Sequence, residues 1–113
     1  MSWVTDVLLC CSLQERLDDN CELADSCQAV DAINDWLEKS DQGKLDDLSK
    51  HVQSGGKAIQ SCVYGGAFNH LDVDAFVKVV KSQKWKIPLS VQLFLKGEED
   101  PNYSIHTISD KRT

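Results

Sequence analysis

Gly65-Gly66-Ala67-Phe68-Asn69-His70 is the stretch of this chain best composed for chemistry. Two glycines, free to take positive φ, separate the β-formers Ser61 to Tyr64 from a helix start. Unpaired backbone amides bind anions at such a place, and an imidazole there can act as acid or base. A small-molecule pocket, or the site of a minor enzyme, would be lined here by Tyr64, Phe68, Asn69 and His70. Asp72 and Asp74 oppose that use, because carboxylates at the same helix start occupy the free amides and repel an anion. The segment therefore reads first as a folding device. It has a turn at Gly65-Gly66, an N-cap at Asp72 for a helix from Val73, and Leu71 and Phe76 at the two positions of a hydrophobic staple.

Other patterns carry less. Ser54-Gly55-Gly56-Lys57 has the glycines and lysine of an anion cradle. A phosphate loop, however, needs Gly-Lys-Ser/Thr followed by a helix, whereas Lys57 leads into Ala58 and a strand, so a turn is expected. The five cysteines, at 10, 11, 21, 27 and 62, lack the C-x-x-C pairs of zinc sites. Cys10 and Cys11 point to opposite faces of a strand, and an odd number of thiols cannot all pair, so buried small hydrophobes in a reducing cytoplasm are expected. A nucleophilic cysteine would need an oriented base, and His51, His70 and His106 are too remote in sequence to assign as one. Asp18-Asp19-Asn20 with Glu22 and Asp25 offers oxygens but not the EF-hand pattern, so a solvated loop is expected. No catalytic residue, metal or cofactor is assigned.

The net charge of −6 argues against nonspecific nucleic-acid binding. Its distribution says more. Nine of the 18 acids lie between Glu15 and Asp41, against only Arg16 and Lys39, while Lys78, Lys81, Lys84 and Lys86 follow one another with no acid between. Such asymmetry can steer association with a charged partner. Met1 to Asp6 has no basic leader and the apolar run Val7 to Cys11 is too short to span a bilayer, so neither secretion nor a membrane is expected.

The elements that would position these residues follow from periodicity. Trp3 to Leu13 is a strand with both faces apolar in its middle, hence central and covered. A helix from about Asp25 or Ser26 places Ala29, Val30, Ile33, Trp36 and Leu37 on one buried stripe, and Ser40-Asp41-Gln42-Gly43 ends it. Leu45 to Val52 fits neither period and is assigned to a short edge strand. Ala58 to Tyr64 is the next strand. Val73, Phe76, Val77 and Val80 form the stripe of a second helix, which Pro88 stops shortly after Trp85. Val91 to Lys96 and Tyr103 to Ile108 make a closing hairpin.

At 113 residues, one domain spanning 1–113 is expected. The order of elements resembles a ferredoxin-like α+β sandwich, an antiparallel sheet of four to five strands with two helices on one face. With no nucleophile, base and oxyanion donors brought together, a non-enzymatic protein-binding module is expected. It would be an acidic inhibitor or immunity-type protein with a basic partner, or a homodimer built through the sheet face or the last strand. Asp18, Asp19 and Glu22 are the acids expected to meet the partner, and Trp85, between Lys84 and Lys86, is either an anchor for it or a lid on the core.

Overall fold

The computed structural model describes residues 4–17, 27–48, 53–54, 57–58 and 61–108. Trp3, Asp18, Asp19, Asn20, Cys21, Glu22, Asp25, Ser26, His51, Gly55 and Gly56 lie outside the described residues. The acids expected to meet a partner are among them.

Strand β1 (Val4–Ser12) alternates strictly, with Thr5, Val7, Leu9 and Cys11 buried and the residues between them half-buried. It lies in the middle of a five-stranded antiparallel sheet of order β2-β5-β1-β6-β7. The other strands are β2 (Asp46–Asp47), β5 (Ser61–Asn69), β6 (Gln92–Gly97) and β7 (Ser104–Thr107). Two further short strands, β3 (Gln53–Ser54) and β4 (Lys57–Ala58), pair with each other in a separate two-stranded sheet. Register partners share a face, so Leu9 with Tyr64 and Leu93, and Val7 with Leu95, line the inner one.

Helices α1 (Gln28–Lys39) and α2 (Val73–Ser82) bury Val30, Ile33 and Leu37, and Phe76 and Val80, in the same core as that inner face. They meet where the rings of Trp36 and Phe76 lie 6.1 Å apart. Asp72 caps α2 as its sequence implies, accepting from the Ala75 N–H at 3.1 Å, and Leu71 and Phe76 are both buried. α1 is closed off just past its C-cap Ser40 by Asp41, whose φ of 60° turns the chain back so that the amides of Asp41 and Gln42 reach the carbonyls of Glu38 and Leu37. This is the Schellman pattern with aspartate in the place usually taken by glycine.

Four expectations are corrected. α1 begins at Gln28 with Cys27 as N-cap, not at Asp25 or Ser26. The edge strand expected over Leu45 to Val52 is two residues long among the described ones, Asp46–Asp47. β1 is central, but only its inner face is fully covered, since Leu8 and Cys10 are half-buried. Finally, Gly65-Gly66 is not a turn: β5 begins at Ser61 and runs through both glycines to Asn69, and the chain turns at His70, with φ of 54°. The glycines serve close approach. A Cβ on Gly65 would stand 2.7 Å from Leu48 Cδ1 and 3.2 Å from the Val7 carbonyl oxygen, and one on Gly66 would stand 2.9 Å from Phe68 Cζ.

Candidate functional site

The residues expected to line a pocket separate on β5. Tyr64 and Phe68, four residues apart, both point into the core and are buried, whereas Asn69 and His70 are exposed where the strand ends. Trp85 is also buried, and its Nε1 donates to the Val80 carbonyl at 2.8 Å, so it closes the core beyond α2. Lys84 and Lys86 beside it are exposed. Of the acidic tract, Asp31, Asp35 and Glu38 lie on the outward face of α1 and are exposed. Glu38 pairs with Lys44 at 3.2 Å.

Two features stand out that sequence periodicity did not assemble. The first is the outer face of the sheet. Ile105, Phe94, Leu8 and Gly65 are successive register partners across β7, β6, β1 and β5, so they form one row over four strands. Leu48 folds onto the same row, against Gly65 and Leu8. The row runs from half-buried at Leu8 and Phe94 to open at the edge, where Ile105 is 61% exposed. The two edges differ in kind. Among the described residues β2 is two residues long and both are aspartates, a short charged edge of the sort that resists pairing. β7 and its flanks, Tyr103 to Ile108, contain no charged residue and no proline. The hairpin was legible in the sequence, but the placing of Ile105 beside Phe94 and Leu8 depends on register.

The second feature lies on the inner face, at the end of the sheet where β1 stops. Cys11 and Cys62 are register partners, and Cys27 joins them from the N-cap of α1; all three are free thiols, no more than 2% exposed. The neighbouring Cys11 thiol holds Cys27 down, from an ordinary value of 9.0 to about 7, against desolvation and with help from the amides of Val30 and Ala29 in the first turn of α1. Interaction with Cys27, together with burial, pushes Cys11 well up. Burial also raises Cys62, partly offset by a hydrogen bond from Arg16. Arg16 reaches Asp47 at 3.9 Å. The Tyr64 hydroxyl is buried in this neighbourhood with no hydrogen-bond partner, and burial followed by the charges of Cys62, Cys11 and Cys27 raises its pKa.

Glu15 closes the same end of the sheet. It sits in the 3₁₀ turn Leu13–Arg16, is only 5% exposed, and accepts from the amides of Lys86 at 2.9 Å and Ile87 at 2.7 Å, one on each carboxylate oxygen. The Lys86 ammonium adds a bond to the Leu17 carbonyl.

The thiols carry a pH dependence of definite sign. Between about pH 7 and about pH 9, Cys27 is ionised when folded and protonated when unfolded, so stability rises with pH across that window and is lost as pH falls through 7. Cys11 and Cys62 act oppositely: their raised folded values cost stability once the unfolded thiols ionise, above about pH 9. Thermal scans should therefore show the melting temperature of the natural chain gaining on that of Cys27→Ala between pH 7 and 9. Parallel curves would mean that Cys27 is not held as a thiolate.

Among the described residues, no group of three or more His, Cys, Asp or Glu side chains is arranged to hold a metal ion. Nor is any described helix long and apolar enough to cross a membrane. No family model, curated protein or solved structure matches the chain.

Proposed function

We propose that this chain is a non-enzymatic protein-binding module whose binding element is strand β7 with the sheet face beside it. The strand it takes up there is β7 of a second copy. One observation carries the reading: an uncharged edge strand with Ile105 exposed at the end of an apolar row that crosses the sheet. A strand edge offers a line of unpaired N–H and C=O groups, and natural sheets ordinarily protect such edges with charge, proline or brevity. β2 has two of those devices; β7 has neither charge nor proline. Two antiparallel copies of β7 related by a two-fold axis would satisfy both edges and bring the two apolar rows together into one face.

Sedimentation of the purified chain tests this. A dimer is expected, and because each copy carries −6, added salt should strengthen it by screening their repulsion. Ile105→Lys should give a folded monomer, since it places a charge on the exposed edge without touching the core. A monomeric natural chain, or a dimer indifferent to Ile105→Lys, would overturn the proposal.

A second reading keeps the module but changes the partner. The exposed acids Asp31, Asp35 and Glu38 favour a basic protein docking on α1, as an inhibitor or immunity-type protein would bind it, with Asp18, Asp19 and Glu22 adding charge. That association would weaken with salt, the reverse of the dimer, and would weaken when those acids are neutralised.

The sheet also supports the ferredoxin-like reading of the fold. The order β2-β5-β1-β6 is that of a split β-α-β sandwich, with α1 and α2 as its crossovers. The additions to that plan are the β3 and β4 hairpin and the outer strand β7. On this reading the binding element is the strand added to the basic plan.

A further inference from the structure

We infer that the two-fold axis of the β7 pair passes between the two copies of Ile105, so that Tyr103, Ser104 and Ile105 of one copy stand opposite Thr107, His106 and Ile105 of the other. This rests on the pairing proposed above and fixes its register. Residues opposite one another in a ladder share a face, and a slip of one residue would set outer side chains against inner ones. The faces of β7 are already assigned. Ile105 and Thr107 pair with Phe94 and Gln92 on the outer face, whereas Ser104 and His106 pair with the buried Leu95 and Leu93 on the inner one. An axis that keeps outer against outer must therefore pass between two copies of one residue.

Ile105 is the residue that joins the apolar rows. With the axis there, the row Gly65, Leu8, Phe94 and Ile105 runs on without a step into Ile105, Phe94, Leu8 and Gly65 of the second copy. An axis at His106 would offset the two rows by two residues, about 7 Å along the strands. It would also set Ile105 against Thr107, and Ser104 against Ile108, which packs on the core of its own copy. An axis at Ser104 would carry the ladder into Pro101, which has no N–H to give, and one at Thr107 would leave Ile105 opposite a position past the end of β7. The inner face agrees with Ile105. Ser104 Oγ lies 3.2 Å from His106 Nε2 within one chain, so the two side chains are complementary, and this axis sets each Ser104 opposite a His106 of the other copy. Tyr103, 41% exposed, faces Thr107 at the two outer ends. None of the five residues Tyr103 to Thr107 is charged, so no like charges meet. The two five-stranded sheets then continue as one, with the helices of both copies on the same side.

Disulfide trapping reads this register. Opposed residues of an antiparallel pair stand about 4.5–5.5 Å apart at Cα, within reach of a disulfide, whereas residues two places from opposition stand about 8 Å apart and are out of reach. The whole chain carrying Ile105→Cys, His106→Cys or Thr107→Cys is sized by sedimentation when reduced, then oxidised in a glutathione redox mixture, and the links are mapped on peptides. The natural cysteines all lie at or before Cys62, so a peptide spanning 103–107 carries only the introduced thiol. Ile105→Cys should join most of the protein into dimers linked at position 105. His106→Cys and Thr107→Cys should remain dimers without links at their own positions, and a mixture of Tyr103→Cys and Thr107→Cys chains should link 103 to 107 between unlike chains. If Ile105→Cys itself sediments as a monomer, that mixture decides, and its failure to link overturns the register. A His106→Cys chain that links to itself while Ile105→Cys does not would overturn the register and leave the β7 pair standing. Monomers throughout, the natural chain included, would overturn the pairing and the register together. Dimers in which none of these positions links would also overturn the register and place the contact away from β7.

Discussion

Replacing Glu15 by alanine is expected to lower the unfolding free energy by about 3 kcal/mol or more, read from the midpoint of a urea transition. The carboxylate is buried and each oxygen holds a backbone amide more than seventy residues away, from Lys86 and Ile87. Hydrogen bonds to an ionised acceptor contribute about 1.5–3 kcal/mol each, and truncation strands both amides at once. The alternative, that these amides turn to water when the side chain is lost, would limit the effect to a few tenths of a kcal/mol, as for an ordinary surface substitution. The segment from Gln83 to Val91 joins α2 to β6, so Glu15 ties the end of β1 to the chain that leaves α2. Glu15→Gln separates shape from charge. It keeps one acceptor oxygen but turns an NH₂ donor toward the second amide, and should cost about half as much.

Phe76→Ala should be at least as damaging, at about 3–5 kcal/mol. The ring is fully buried on α2 and lies 6.1 Å from that of Trp36 on α1, which makes it the joint between the two helices. The loss combines the transfer of the ring's apolar surface with the cavity left in a core that relaxes only partly. Because Trp36 is half-buried, the change should also shift its fluorescence to the red. Val77→Ala, on the half-buried side of the same helix, serves as a control and should cost about 1 kcal/mol. An equal cost for both would mean that burial does not rank these positions.

How far the fold could be read depended on the range of the determining interaction. The start and stripe of α2 were legible, because its cap, staple and stripe lie within about a dozen residues of one another, from Leu71 to Ser82, whereas its end was not: the helix stops at Ser82, short of the limit near Trp85 that Pro88 sets. The stripe of α1 was equally legible, but not its start: Cys27 caps without the hydroxyl or carboxylate that marks an N-cap in sequence, while Asp25 and Ser26 beside it carry such groups. Gly65-Gly66 misled because glycine has two uses. Local preference reads it as a turn, whereas here Leu48 and Phe68 press on a strand that has no room for a Cβ.

The candidate sites were less legible than the fold for the same reason. Cys11, Cys27 and Cys62 come from three elements, and Glu15 finds its partners on the far side of α2. No spacing announces either. Ile105 was visible as a strand residue, but its place at the end of a row with Phe94 and Leu8 follows from the register of three strands. Tyr64, Phe68, Asn69 and His70 were grouped because they are neighbours along the chain, and the alternation of β5, with the turn at His70, divides them between core and surface.

The proposal that β7 is the binding element is tested most directly by amide hydrogen exchange of residues Ser104 to Thr107 at increasing protein concentration. Pairing of two copies along this edge predicts that the β7 amides not bonded to β6 become protected as concentration rises, that the rest of the sheet changes little, and that Ile105→Lys removes the effect. Exchange at these amides that is fast and independent of concentration, in natural and substituted chains alike, would contradict it.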